Sequence, residues 1–140
     1  MTAIHIDIVS DVICPWCFIG KRRFERALKL RPDLEAQVTW RAFQLNPDMP
    51  PGGMDRQQYL SLKFGGPMQA RRVYAAVEQA GASEGIDFAF DRIKRTPNTT
   101  DAHCLIRFAT MEGNVDAVVE ALFRAYFIEG RDIGDPSELV

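Results

Sequence analysis

An α/β protein is predicted, with one βαβ unit followed by an almost wholly helical remainder. Three observations carry this. Two short stretches near the N-terminus alternate with a period of two, and a helix-length segment separates them. Beyond Asn46-Pro47-Asp48-Met49-Pro50-Pro51-Gly52-Gly53, the most breaker-dense stretch of the chain, the long segments have helical spacing. With 140 residues, 46% hydrophobic and 26% charged, the chain reads as a soluble globular domain large enough to bury a core without staples.

The first stretch, Ala3 to Ser10, alternates Ile4, Ile6 and Ile8 with His5, Asp7 and Val9, and its branched residues favour a strand. Because Val9 is also apolar, this strand is expected to be central and mostly buried. Asp11 to Ile13 leads into Cys14-Pro15-Trp16-Cys17, and a helix follows to about Leu30, where Pro32 stops it. Phe24, Ala27 and Leu28 share one helix face; Lys21, Arg22, Arg23 and Arg26 suit the solvated side. A second strand is expected at Gln37 to Leu45, with Val38, Trp40 and Ala42 alternating against Thr39, Arg41 and Phe43 and with Trp40 in the core.

After the breakers, Asp55 to Phe64 forms a short amphipathic helix closed by Gly65-Gly66. Pro67 opens the next helix, which runs to Ala80 with Gly81 as its stop. Ile86, Phe88 and Phe90 form an extended connector. Thr99 or Thr100 caps a helix reaching about Glu112 before Gly113. The strongest periodicity follows Asn114: Val115, Val118, Val119, Leu122, Phe123, Tyr126 and Phe127 make a wide apolar stripe that requires a partner surface. Asp135-Pro136-Ser137-Glu138 starts a last helix.

Charge excludes one class of partner. Seventeen Lys and Arg against nineteen Asp and Glu leave a formal charge of −2, with no basic excess to neutralise a nucleic-acid backbone. The longest apolar stretch, Val12 to Ile19, is too short to span a bilayer, and the first residues lack the basic start of a signal peptide. No membrane association and a cytoplasmic location are therefore expected. Three cysteines are too few and too odd in number for a secreted disulfide scaffold, and a close pair in a reducing compartment points to catalysis or metal.

A strand that runs into Cys-x-x-Cys and then into a helix has a specific chemistry. Cys14 stands where an N-cap residue would, and Pro15 occupies the first helical position, where a missing N–H costs nothing. A sulfur there meets free amides and the positive end of the helix dipole, so Cys14 is expected to have a lowered pKa and to be the nucleophile. Cys17, three residues on, lies with its Cβ roughly 5–6 Å away, close enough for a disulfide after a small adjustment. Preceding Phe18-Ile19, it is expected to be the more buried thiol of higher pKa. Two other readings stay open: a zinc site, for which only Cys104 and two histidines remain as ligands, and a pair of buried structural cysteines.

These residues resemble a thioredoxin-superfamily protein. More narrowly, the chain is similar to the DsbA-like cytoplasmic disulfide oxidoreductases described as FrnE-like. The likeness extends over Ser10 to Gly20, Phe43-Gln44-Leu45-Asn46-Pro47, Asn98-Thr99 with Ala102-His103, Leu122 to Phe127, and Asp132-Ile133. It implies a thioredoxin-like fold of DsbA type with an all-helical insertion. The N-terminal βαβ portion would occupy residues 1–46, the insertion 54–130, and the return into the thioredoxin domain would begin at 131–140. It further implies disulfide exchange with a protein or small-thiol substrate, Cys14 attacking and Cys17 resolving. No cofactor beyond the cysteines is implied, and glutathione is a candidate redox partner. Trp16 and Pro15 would shape the partner surface and tune the potential. With Trp at that place, the couple is expected to be less oxidising than the DsbA extreme of about −120 mV.

Members of this family continue through a β-hairpin with a cis-proline opposite the cysteines and a final helix, and no proline here heads a late apolar strand. The chain is therefore expected to be the N-terminal part of such a protein. An exposed sheet edge would then favour homo-oligomerisation. Two alternative functions follow. One is a glutathione-dependent enzyme of the kappa-transferase or 2-hydroxychromene-2-carboxylate isomerase type, whose members place a serine at the nucleophile position. The other is a non-catalytic domain that binds a partner.

His103 is a candidate groove residue near the thiols, against a structural histidine. Asn98 is a candidate substrate contact, although setting the turn before a helix is its simpler role. Cys104 is expected to be a small buried hydrophobe, and Lys21-Arg22-Arg23 a solvated run.

Overall fold

The computed structural model describes residues 2–140; Met1, the first residue of the predicted 1–46 unit, lies outside them. Strand β1 (Thr2–Ser10) leads through a short turn into helix α1 (Pro15–Leu30), which returns the chain to strand β2 (Leu34–Ala42). The two strands pair in parallel from Thr2 opposite Leu34 to Ser10 opposite Ala42. Parallel neighbours need such a crossover, and α1 supplies it. Ile4, Ile6 and Ile8 oppose Ala36, Val38 and Trp40, so the alternating sets fall on one half-buried face. β2 begins and ends three residues earlier than its hydrophobic alternation suggests. Register against β1 sets its ends, because pairing stops where β1 stops, at Ser10. The expectation of a central, mostly buried β1 is corrected. Val9 is 58% exposed, because among the described residues the sheet has two strands and nothing covers its second face.

Beyond the breaker segment lie strand β3 (Met54–Asp55), helix α2 (Arg56–Phe64), helix α3 (Pro67–Ser83), a 3-10 turn at Phe90–Arg92 and strand β4 (Arg95–Thr96). Helices α4 (Thr100–Glu112), α5 (Val115–Phe127) and α6 (Pro136–Leu139) complete the chain. Local chemistry sets most of these ends. Asp55 caps α2 by accepting from Gln58 N–H, and Gly65 and Gly113 close α2 and α4 in the left-handed conformation. Gly81 does not stop α3. The helix runs on to Ser83, and Gly81 is needed because the Phe88 ring packs against its Cα, where a Cβ would collide. β3 and β4 pair antiparallel over two residues each and pin the start of α2 to the segment before α4.

The core joins both halves of the chain. Val12, Ile13, Phe18 and Ile19 pack in one cluster with Val77, Ile86, Ile93, Ile106 and the apolar stripe of α5. Phe18 stacks on Phe123, with ring centroids 4.9 Å apart and 6° between planes, and meets Phe88 edge-on at 5.9 Å. Geometry of this kind contributes about 0.5–1.5 kcal/mol per pair beyond area burial. The α5 stripe thus finds its partner surface partly in α1, the helix that begins at the cysteines.

The basic run is solvated only at Arg23, which is exposed; Lys21 is buried and Arg22 half-buried. Lys21 is 4% exposed, and its ammonium meets Glu120 at 3.0 Å, Asp116 at 3.4 Å and Glu25 at 3.6 Å. Arg22 bonds Glu120 with both its terminal nitrogens and lies over the Phe18 ring. Lys21 and Arg22 therefore tie α1 to α5, while Arg23 and Arg26 remain exposed, as expected, and pair with Glu84 at the end of α3.

Candidate active site

Cys14 is the N-cap of α1, with extended backbone, and Pro15 is the first helical residue. Asp11 O accepts from Cys14 N–H at 3.0 Å and Cys14 O from Cys17 N–H at 3.1 Å, so two turns in succession hold the motif. Both cysteines are free thiols and half-buried. They differ in their backing: Cys17 packs against the hydrophobic core, whereas Trp16 between them stands 48% exposed. Phe18 and Ile19, both fully buried, anchor the first turn of α1 and fix where the sulfurs sit.

The two thiols titrate as one coupled pair. Each sulfur is the largest influence on the other's proton affinity. Cys17 is pulled down to about 6, first by the Cys14 thiol and further by the Asp11 backbone N–H and the Ser10 hydroxyl, against the cost of burial. Cys14 is pushed well above the ordinary thiol range, first by its hydrogen bond to Cys17, then by burial and by the Cys17 charge, although the Cys17 and Trp16 amides oppose the rise. The dithiol thus behaves as one acid with a single thiolate near neutral pH, a charge that belongs to the pair rather than to either sulfur. The helix amides of Cys17 and Trp16 lower Cys14, as its N-cap position predicts, and the donors from Ser10 and Asp11, which the turn brings behind Cys17, lower Cys17 as well.

Asp11 is the residue that sequence reasoning missed. It is 1% exposed, its Oδ2 accepts from Leu45 N–H at 2.9 Å, and its Oδ1 lies 3.1 Å from His103 Nε2. His103 Nε2 also lies 3.0 Å from Phe43 O. Both neighbours are acceptors, so Nε2 carries the hydrogen. His103 therefore reaches the cysteine turn through Asp11. An acidic residue between an apolar strand and the cysteine pair was the available signal: a carboxylate there is buried if the turn is.

The other candidates divide. Pro15 and Trp16 stand on the motif itself. Asn98 binds the chain: its Nδ2 donates to Met49 O at 2.7 Å and its Oδ1 accepts from Thr100 N–H at 2.9 Å, which starts α4. Cys104 is exposed, contrary to the expectation of a buried hydrophobe, because Ala102, Ile106 and Ala109 take the buried face of α4. An open groove of about 820 Å³ runs between the end of β2 and α4, lined by Ser10, Phe43, Gln44, His103, Cys104 and Arg107 among others. Ser10 belongs both to this groove and to the Cys17 environment. Among the described residues no three His, Cys, Asp or Glu side chains converge on a common point, and no helix is long and apolar enough to cross a membrane.

A βαβ unit that presents two free thiols at a helix N-terminus, with a helical segment packed on the same core, defines the class. The chain matches the DSBA-like thioredoxin domain over residues 5–140 and belongs to that family, with its thioredoxin-like fold. It is 30% identical to a probable DsbA oxidoreductase from Streptomyces coelicolor, whose crystal structure superposes with a TM-score of 0.83 over 96% of this chain and 59% of that one. It is also 27% identical, over 136 residues, to the uncharacterized protein YwbO of Bacillus subtilis, covering 94% of this chain and 60% of the relative. The chain thus spans about three fifths of the length of the proteins it matches.

Proposed function

We propose that the protein is a thiol–disulfide oxidoreductase of the FrnE-like branch, acting in the cytoplasm on protein or small-molecule disulfides. The observation that carries this is a pair of free thiols three residues apart at the start of α1, with Cys14 as the N-cap and Pro15 as the first helical residue. Cys14 is the attacking sulfur: it stands at the helix start beside exposed Trp16, whereas Cys17 is backed by the core. The pair's remaining proton moves to Cys17 as a substrate disulfide approaches Cys14. The Cys14 thiolate then bonds to one substrate sulfur and expels the other as a thiolate, which takes a proton from water. Cys17, after losing its proton again, attacks the Cys14 sulfur, forms the Cys14–Cys17 disulfide and releases the second substrate thiol. Two electrons move from the dithiol to the substrate, and the reverse sequence oxidises a substrate dithiol.

No cofactor beyond the cysteine pair enters these steps, and glutathione is a suitable redox partner. The free edges of the β1–β2 pair are where a second copy would add. The test is trapping. Cys17→Ser, mixed with a model disulfide, is expected to accumulate a mixed disulfide on Cys14 by mass, while Cys14→Ser accumulates none. Equal adducts on both variants contradict the assignment of roles.

A further inference from the structure

Arg56 opens α2 and is 5% exposed, yet among the described residues no carboxylate lies within ion-pair distance of it. Its partners are three hydroxyls. Nη1 donates to Thr96 Oγ1 at 3.0 Å and to the Tyr126 hydroxyl at 3.2 Å, and Nη2 donates to the Tyr74 hydroxyl at 3.0 Å. The Tyr59 and Tyr74 rings lie 5.6 and 5.5 Å from its Cζ. Burial pushes the Tyr74 and Tyr126 phenols up, so both are neutral. A full positive charge thus sits in a cage of dipoles with no countercharge, an arrangement that is costly unless an anion completes it.

A guanidinium has five N–H donors, and the three bonds named leave Nε and one Nη2 hydrogen. Nε and Nη2 share an edge of the guanidinium, the edge that a planar carboxylate bridges. No enclosed side-chain nitrogen or oxygen among the described residues lacks a partner, so the unpartnered Nε has an opening. Arg56 lines a groove of about 570 Å³ between α2, α3 and the 3-10 turn, within the range of small-molecule sites. Its walls include Leu60, Ala70, Ile93 and the stacked rings of Tyr74 and Phe90, with centroids 4.4 Å apart. At the rim Arg71 and Lys94 are outnumbered by Asp55, Glu78 and Asp91. This charge pattern repels a polyanion and tolerates a monoanion whose charge is delivered to Arg56.

We propose that this groove binds a carboxylate attached to an aromatic body, the carboxylate on Arg56 and the body against Tyr74 and Phe90. The groove shares no lining residue with the one between the end of β2 and α4, and it includes neither Cys14 nor Cys17, so this site stands independently of the redox reading. The chemistry is common to a free aromatic acid and to a peptide with a C-terminal phenylalanine, and both serve as probes. The purified chain is titrated with phenylacetate, with such a peptide, and with the amide of each, following heat of binding and the Arg56 Nε–H resonance. Saturable binding of either carboxylate with a shift of that resonance, absent for its amide, is expected, and the probe that binds identifies the source. Arg56→Lys is expected to weaken binding about tenfold or more, since it removes the two-point bond. Should Arg56→Lys fail to fold, Ala75→Leu, at an exposed groove position, is expected to abolish binding with the fold retained. No binding of either carboxylate, equal binding of the amides, or unchanged binding in Ala75→Leu overturns the proposal.

Discussion

The buried Asp11 carboxylate lies 3.1 Å from His103 Nε2, so a residue at the end of β1 and one on α4 meet directly behind the cysteine turn. This contact holds α4 against the segment from which Cys14 and Cys17 emerge. Asp11 also opposes a second negative charge nearby, because its charge raises the Cys17 proton affinity while its backbone N–H lowers it.

Asp11→Asn separates these effects. The backbone N–H stays and the charge goes, so the first ionisation of the dithiol is expected to fall below about 6. Thiolate absorbance against pH reads it. Loss of the carboxylate also leaves Leu45 N–H and His103 imperfectly paired, at about 1–3 kcal/mol of stability. A midpoint that rises instead contradicts the role given to the charge.

Removing Cys17 tests the shared proton. In the wild type the first ionisation lies near 6 and the second well above the ordinary thiol range. Cys17→Ala deletes both the side-chain hydrogen bond and the charge that raise Cys14, and leaves the backbone amides of position 17 and Trp16 that lower it. A single ionisation between the two wild-type steps is expected by the same absorbance titration.

The α1–α5 ion cluster sets an acid limit on stability. Glu120 is held down to about 2, first by its hydrogen bond from Arg22 and then by Lys21, against burial. A carboxylate with a depressed folded-state pKa stabilises fully above its ordinary value of 4.5, and the gain is lost as pH falls from there toward 2. Glu120→Gln is expected to lose about 1–3 kcal/mol at neutral pH in denaturant unfolding. Its stability is also expected to fall less steeply than that of the wild type below 4.5.

Gly81 gives a packing test without charge. Gly81→Ala drives a Cβ into the Phe88 ring, itself stacked on Phe90 and edge-on to Phe18 and Phe127. Overpacking of this kind costs about 1–3 kcal/mol. A stabilised variant in thermal unfolding contradicts the account of why α3 carries glycine there.

What the sequence reveals follows the range of the forces involved. The Ile4-Ile6-Ile8 alternation, Pro15 at a helix start, the Gly113 stop and the α5 stripe are local signals, and each element stands where its signal lies. Pairing across the chain leaves no such mark. The ends of β2 come from β1, and the two-residue β3–β4 bridge has too little sequence to carry a pattern. Gly81 has the composition of a helix stop and the role of a packing contact, which Phe88 decides. Lys21 looks solvated until three acids close over it. At the site the cysteines, Pro15 and Trp16 are legible from spacing alone. The proton balance is not, because it depends on Ser10 and Asp11, whose donors reach Cys17 only once the turn has folded.

The most direct test of the redox account is the equilibrium of the Cys14–Cys17 pair against a series of reduced and oxidised glutathione, with free thiols counted by a mass tag. A cooperative two-electron transition is predicted, lost in Cys14→Ser, at a potential below the DsbA extreme of about −120 mV. A pair that never closes, or closes only under oxidants far outside cellular poise, contradicts it.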